Sequence, residues 1–321
     1  MSPQTSPLKV LYVCCWFRSG STILDNVIGE VPGYLSVGEL DWIWHSSLMR
    51  GRPCGCGQPL SECELWAEVT RHLFQRLPVA ERSPDKIVEW GQQSSRVRHT
   101  RKLLRASKGN PHYSPSLAHY LEAMEALYDS IAEVTGARVI VDSSKVPSGA
   151  AVRRLLPNVD LYLLHLVRDP RAVAYSHQRR KPLSHPGNEA FMATHSPLAS
   201  TSKWLIWNVQ AEAVARQLPP ERVLRIRYED FVSRPRATIG SILDFVRESG
   251  SDPFSDDRTV DLSPNHTVSG NSDRFRRGLV TIREDNEWRL QQSGFDNIVA
   301  TLLSGPLLHR YGYKLRARVE S

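Results

Sequence analysis

Residues 8–28, LKVLYVCCWFRSGSTILDNVI, place a strand, a turn of small residues and a helix in immediate succession. Val10, Leu11, Tyr12 and Val13 form an apolar, β-branched and aromatic run of the length of a buried strand. Ser19, Gly20, Ser21 and Thr22 follow, and Ile23, Leu24, Val27 and Ile28 then recur at helical spacing. This order aims backbone N–H groups and a helix N-terminus at an anion. Gly20 admits close approach of the backbone, Ser21 and Thr22 offer hydroxyls, and Arg18 brings a fixed charge. The stretch therefore predicts a phosphate-binding loop in an α/β protein; an ordinary serine-capped helix after a strand is the plainer alternative.

The loop is not a regular Walker A motif, which needs Gly four residues before Gly-Lys-Ser/Thr. Cys15 stands at the first glycine position and Ser21 at the lysine position, so only Gly20 and Thr22 fit. The cation lies ahead of the turn, at Arg18.

Further strands are expected at Tyr34–Val37, Val139–Val141, Leu161–Val167 and Val223–Arg227. Helical spacing recurs between them, most clearly over 116–135 and 200–218. Strands that alternate with helices predict a single α/β domain over 8–315, with a central, mostly parallel sheet and helices on both faces. Residues 50–116 read as a helical, Cys-containing insertion or lid, with helices over 65–77 and 87–107. Residues 1–7 and 316–321 are expected to be flexible termini, and 181–200 a mobile Pro-, His- and Ser-rich loop beside the substrate.

No apolar run approaches the ~18 residues of a membrane span. The start, MSPQTSP, has neither a basic segment nor an apolar core, so a cytoplasmic protein without a membrane partner is expected. A net charge of +7 suits anionic ligands without implying nucleic acid. The basic face at Arg96, Arg98, Arg101, Lys102 and Arg105 lacks an aromatic platform and reads as solvated surface, so no nucleic-acid partner is expected. Cys54, Cys56 and Cys63 cluster in PCGCGQPLSEC. Their spacing lacks the two-plus-two pattern of zinc sites and a clear fourth ligand, so no metal site is assigned and their role stays open.

Polar residues gather where strands end, the usual place for chemistry in open α/β sheets. Glu39, 21 residues after Arg18 and close to Trp42 and Trp44, is a candidate general base. Asp142-Ser143-Ser144-Lys145 ends the strand at Val139. Arg168 ends the strand at Leu161, with Asp169-Pro170 at a turn and Ser176 on the next helix. A Walker-type kinase would want an acid at that strand end to hold magnesium, whereas arginine and serine suit a second phosphate. Arg274, Arg276 and Arg277 crowd a polar loop ending at Gly278 and need an anion or acids nearby.

Together these pieces resemble sulfotransferases that use 3′-phosphoadenosine 5′-phosphosulfate (PAPS) and release PAP. Arg18-Ser19-Gly20-Ser21-Thr22 resembles the family's 5′-phosphosulfate loop, and Arg168 through Ser176 its 3′-phosphate motif. Tyr228, in Arg227-Tyr228-Glu229-Asp230, is similar to a tyrosine near the adenine. Gly270–Gly278, with Arg274, Arg276 and Arg277, resembles the C-terminal phosphate loop. The resemblance covers roughly residues 8–290, with 50–116 outside it. It implies in-line sulfuryl transfer to a hydroxyl of a small molecule or other acceptor, with PAPS as donor and no metal required.

The cytosolic branch of that family uses a histidine base after the second strand, and this chain has none there. The Arg18-to-Glu39 interval, with Gly38 before the glutamate, instead resembles tyrosylprotein sulfotransferases and their bacterial relatives. That likeness makes Glu39 the base and Lys145 a group beside the transferred sulfuryl, with Arg18 as a third catalytic residue. His45, His165 and His185 are the competing bases. A P-loop small-molecule kinase using ATP and magnesium is the rival enzyme, and a non-catalytic nucleotide- or RNA-binding protein the rival outside catalysis. The acceptor's identity and the oligomeric state are not encoded in any motif.

Overall fold

In the computed structural model, which describes residues 7–109, 113–180 and 191–315, the opening run becomes β1 (Leu8–Cys14), the middle strand of a five-stranded sheet. The other strands are β2 (Tyr34–Gly38), β3 (Val139–Lys145), β4 (Val159–Val167) and β5 (Val223–Arg227). Their order is β2–β3–β1–β4–β5 and every pairing is parallel. Leu11 is level with Val141 of β3 and with Tyr162 of β4. The chain thus fills one side of β1 and then the other, so the loops leaving β1, β3 and β4 converge at the switch point where such sheets bind ligands.

β1 is buried on both faces, which is why it reads as a continuous apolar run. Val10, Tyr12 and Cys14 face one core, while Leu11, Val13 and Cys15 face the other. α1 (Ser21–Gly29) packs into the second of these. The first core takes up α2 (Glu64–Arg76), α3 (Pro84–Ser94), α4 (Thr100–Leu104), α5 (Pro115–Thr135) and α6 (Pro147–Arg153). α7 (Pro170–Gln178) follows β4, and α8 (Pro197–Ala215) adds Ala211 and Val214 to the first core. α9 (Tyr228–Ser233) and α10 (Pro235–Val246) complete the α1 face. β6 (Thr259–Leu262) and β7 (Gly278–Thr281) pair antiparallel, and α11 (Glu287–Gln291) and α12 (Gly294–Arg310) end the fold. The expected single α/β domain with a parallel sheet and helices on both faces is the architecture found.

Residues 50–116 do not sit apart from this body. Trp66, Val69, Leu73, Ile87 and Leu103 share one apolar cluster with Val10, Tyr12 and Ile140. The single helix expected over 87–107 is broken into α3, a 3₁₀ turn at Val97–His99 and α4. Ser94 and Ser95 turn their hydroxyls back to the Trp90 and Gly91 carbonyls, and Arg96 takes an extended conformation. The polar segment after Ser249 carries β6, and Gly278 opens β7. His185, the one competing base in the 181–200 loop, lies with 181–190 outside the described residues. Among the described residues no helix is long and apolar enough to cross a membrane.

Candidate active site

The strand ends of β1, β2, β3 and β4 open onto a cleft of about 710 Å³. Arg18, Gly20, Ser21, Thr22, Glu39, Lys145, Arg168, Ser176, Tyr228 and Arg276 all line it, although up to 258 positions separate them in the chain. Ser19 is buried directly beneath.

The loop after β1 is held open by backbone geometry. Gly20 precedes α1 at φ 82°, in the left-handed region, and a Cβ there would run into the ring of Tyr228. Glycine is therefore required twice over, by conformation and by contact. Arg18 is also left-handed, at φ 67°, a conformation that costs a non-glycine residue about 1–3 kcal/mol and persists where surrounding structure enforces it. Both terminal nitrogens of Arg18 and the Ser19 hydroxyl are buried without a hydrogen-bond partner. Unmet donors around the N-terminus of a nine-residue helix form a cradle that an anion would satisfy.

Beside this cradle, where the Cys15 amide donates to Lys145 O at 3.1 Å, Glu39 and Lys145 form an ion pair that is almost fully buried. Burial works against the lysine's charge, yet Glu39 beside it leaves the pKa of Lys145 raised. Lys145, at φ 72°, is another non-glycine residue of the cleft in the left-handed region, as is Ser269 at φ 56°. The polar end of β3 positions the pair. Asp142, wholly buried, takes a 2.9 Å salt bridge from Arg153 and accepts the Ser144 hydroxyl at 2.5 Å. Ser144 Oγ in turn accepts the Asp41 amide at 2.9 Å. Glu39 itself donates its amide to Val268 O at 2.9 Å, so the β6–β7 connection braces it from the far side. Beyond it, Ile43–Met49 winds as a π-helix, a rare form that recurs at functional sites. Trp42 lines the cleft, whereas Trp44 is buried in the core.

Arg168, 5% exposed, closes the other end. It donates to Arg18 O at 2.9 Å and to Asp285 Oδ2 at 2.9 Å, and its Nε is buried without a partner. Its guanidinium stacks 4.4 Å from the centre of the Tyr228 ring. Asp169 caps α7 by accepting the Arg171 amide, which aims the helix bearing Ser176 along the cleft.

Of the C-terminal arginines expected to meet the ligand, only Arg276 lines the cleft. Arg274 is buried and spends its donors on Thr267 O at 2.6 Å and Pro53 O at 2.7 Å; burial pulls its pKa down to about 10. Arg277 turns to Cys56 O at 3.1 Å. The structure thus corrects the expectation for Arg274, Arg277 and Gly278: the first two clamp backbone carbonyls, and the glycine starts β7 at φ 78°. Arg50, Arg52 and Arg283 line the cleft instead, and none of them belongs to a motif. Among the competing histidines, His165 is buried, hydrogen-bonded to Asn208 at 2.8 Å, and pushed by that burial down to about 4. His45 lines the cleft.

A second, mostly apolar cavity of about 560 Å³ adjoins the first and shares Phe17, Trp42 and His45 with it. Ile87, Val88, Gly91 and Val97, from 50–116, form its far wall, and Tyr120, Val146 and Trp207 contribute from the main body.

The model of the sulfotransferase family matches residues 11–252 of the chain. Among solved structures, the chain is similar to the sulfotransferase domain from the curacin biosynthetic pathway at 16% identity, covering 97% of this chain and all of that one, with a TM-score of 0.48. It is similar to the sulfotransferase domain of the Synechococcus PCC 7002 olefin synthase at 19% identity, covering 96% and 97%, with a TM-score of 0.47. A retinol dehydratase solved with retinol and PAP is similar at 15% identity, covering 98% and 84%, with a TM-score of 0.38. No curated protein sequence matches the chain.

Proposed function

The chain belongs to the sulfotransferase family, and from that premise we propose that it transfers the sulfuryl group of PAPS to a hydroxyl of an acceptor with an apolar body. One observation carries the donor assignment. Two anion-binding ends, the Arg18–Thr22 cradle and the Arg168–Ser176 pair, face a single cleft, and both retain buried, unpartnered donors. An adenine nucleotide bearing phosphate on both its 5′ and 3′ sides fits that arrangement. A nucleotide with all its phosphates in one chain would leave one end unmet.

PAPS supplies a sulfuryl group on a good leaving phosphate. In this family of in-line transfers the protein mainly positions the reactants and neutralises charge. Arg18, the loop amides and the hydroxyls of Ser19, Ser21 and Thr22 would hold the 5′ side. Arg168 and Ser176 would hold the 3′-phosphate and fix the register by remote binding energy. Lys145, which lines the cleft beside Glu39, would lie between donor and acceptor and offset charge developing there. Glu39, beside Lys145, would take the acceptor proton, as in the tyrosylprotein branch. The acceptor would enter from the apolar cavity, which opens next to Glu39 through Trp42 and His45. Its lining favours a hydroxylated molecule with an apolar body over a highly charged one.

Thermal unfolding with PAP, with ATP and magnesium, and with adenosine 5′-phosphosulfate tests the donor assignment. PAP is expected to raise the midpoint strongly and the other two weakly. Equal stabilisation by ATP would overturn it. Labelled PAPS offered with a panel of phenols, hydroxylated apolar molecules and tyrosine peptides then identifies the acceptor, and transfer without added magnesium checks the metal requirement.

A further inference from the structure

The three cysteines of the PCGCGQPLSEC segment gain a fourth neighbour in the fold. His266, in the connection from β6 to β7, lies 203 residues beyond Cys63 and brings Nδ1 to 3.2 Å from Cys63 Sγ and 3.6 Å from Cys54 Sγ. Cys54 and Cys63 sulfurs are 3.7 Å apart, and the four ligand atoms, Cys56 included, all lie within 4.8 Å of one another. We propose that Cys54, Cys56, Cys63 and His266 bind one structural zinc ion.

The separations of 3.2, 3.6 and 3.7 Å among Cys54, Cys63 and His266 lie close to what zinc chemistry asks. Zinc at about 2.3 Å from sulfur and about 2.0–2.1 Å from nitrogen, in a tetrahedron, sets its ligands about 3.4–3.8 Å apart. The donor set is three sulfurs and one imidazole, a closed Cys₃His combination with no position left for substrate. All five cysteines are free, so no disulfide accounts for the cluster. A buried thiol alone is often just a small apolar side chain, but that reading leaves the imidazole among the sulfurs unexplained.

The backbone is built around the cluster. Gly57, at φ 98°, donates to Cys54 O at 2.9 Å, and Cys54 donates to Gln58 O at 2.8 Å, folding the loop back on itself. A Cβ on Gly55 would meet Asn265, so this glycine lets the loop press against the segment bearing His266, where its amide donates to Thr267 O at 2.9 Å. Trp66 Nε1 fixes the histidine backbone by donating to His266 O at 2.6 Å. Three thiolates around a divalent cation leave the centre net negative. The Arg274 and Arg277 guanidiniums stand beside it, bonded to the Pro53 and Cys56 carbonyls. These are the two arginines that turn away from the cleft.

The ion would tie the Cys54–Cys63 loop to residues 265–268, where Val268 donates to Val37 O and accepts the Glu39 amide. It would thereby anchor one wall of the cleft without touching reactants.

Metal analysis of protein purified without chelator is the test, and its outcome does not depend on sulfuryl transfer. About one zinc per chain is expected, falling at least fivefold in His266→Ala and in a Cys54→Ser/Cys63→Ser double variant and unchanged in Cys14→Ala. Should those variants fail to fold, a mercurial titrated into the wild-type protein is expected to release zinc in step with thiol loss. Cobalt substitution is expected to give the absorption of a tetrahedral thiolate centre. Wild-type protein that holds no zinc and takes up no cobalt would overturn the proposal. So would zinc retained by folded His266→Ala and double variants, or a Cys54–Cys63 disulfide found by mass in protein purified without reductant.

Discussion

Glu39 is held at three points: its amide by Val268, its carboxylate by Lys145, and the chain two residues on by Ser144. Glu39→Gln keeps the shape and removes the basicity, so turnover is expected to fall ~10²–10⁴-fold while calorimetric PAP affinity holds. His45→Ala, which alters the same cleft, is expected to keep turnover within the same order; the opposite ranking would make the histidine the base. Asp285 already occupies Arg168 with a 2.9 Å ion pair from a half-exposed position. Asp285→Asn is therefore expected to tighten PAP binding severalfold, read by titration calorimetry, because the carboxylate no longer competes with the incoming phosphate. Asp25 lies inside α1, where burial pushes its pKa up to about 7. Between about pH 4 and 7 the folded chain keeps a proton that the unfolded chain has lost, so this residue's contribution to stability declines as pH rises through that window. Asp25→Asn is expected to match wild type near pH 4 and to exceed it increasingly up to pH 7, by at most about 4 kcal/mol. His165 and His177, both lowered to about 4 by burial, make the protein less stable as pH falls, but equally in the two forms.

The strand–loop–helix element shows its constraint most sharply at Gly20. Gly20→Ala adds a Cβ against Tyr228 at a left-handed φ, so loss of PAP binding and a drop in melting temperature are expected. Tyr228→Ala in that background is expected to restore part of the melting temperature, because it removes the contact though not the φ; a non-additive double-mutant cycle would show the coupling. This element was legible in the sequence because its strand is apolar on both faces and its turn residues are small. β4 was legible for its apolar run, β5 for its alternation and α5 for its helical spacing. β3 was only half legible: its last residues are polar, and strand conformation there depends on Arg153, which neutralises Asp142 from another element. β6 and β7 are short, with exposed polar positions, and their pairing spans a connection that carries its own contacts. Arg274 and Arg276 are near neighbours in one loop, and no periodicity says which faces the cleft; the tertiary partners of Arg274, at Pro53 and Thr267, decide it. His266 was invisible as a partner of the cysteines for the same reason, since its proximity exists only in the fold.

At the scale of the whole molecule, positive charge is concentrated where the strands end. Arg50, Arg52 and Arg283 add to Arg18, Lys145, Arg168 and Arg276 around a cleft whose acidic groups are Glu39, Asp273 and Asp285. Association of PAP is expected to slow markedly as salt rises from about 0.05 to 0.5 M, with dissociation changed much less, in stopped-flow traces. A fivefold or smaller change in affinity that resides wholly in dissociation would argue against long-range steering. The strand order has a separate bearing on how the chain is made. β1 leaves the ribosome well before both of its sheet neighbours, β3 and β4, which are encoded far downstream. At about 5–20 residues per second, roughly 150 residues of further synthesis leave at least one edge of this apolar strand unpaired for roughly 8–30 s. During that interval the strand that carries the candidate phosphate-binding loop is an open template for aggregation. Slow translation before the codon for Val167 should thus lower soluble yield, and chaperone supply during synthesis should recover it.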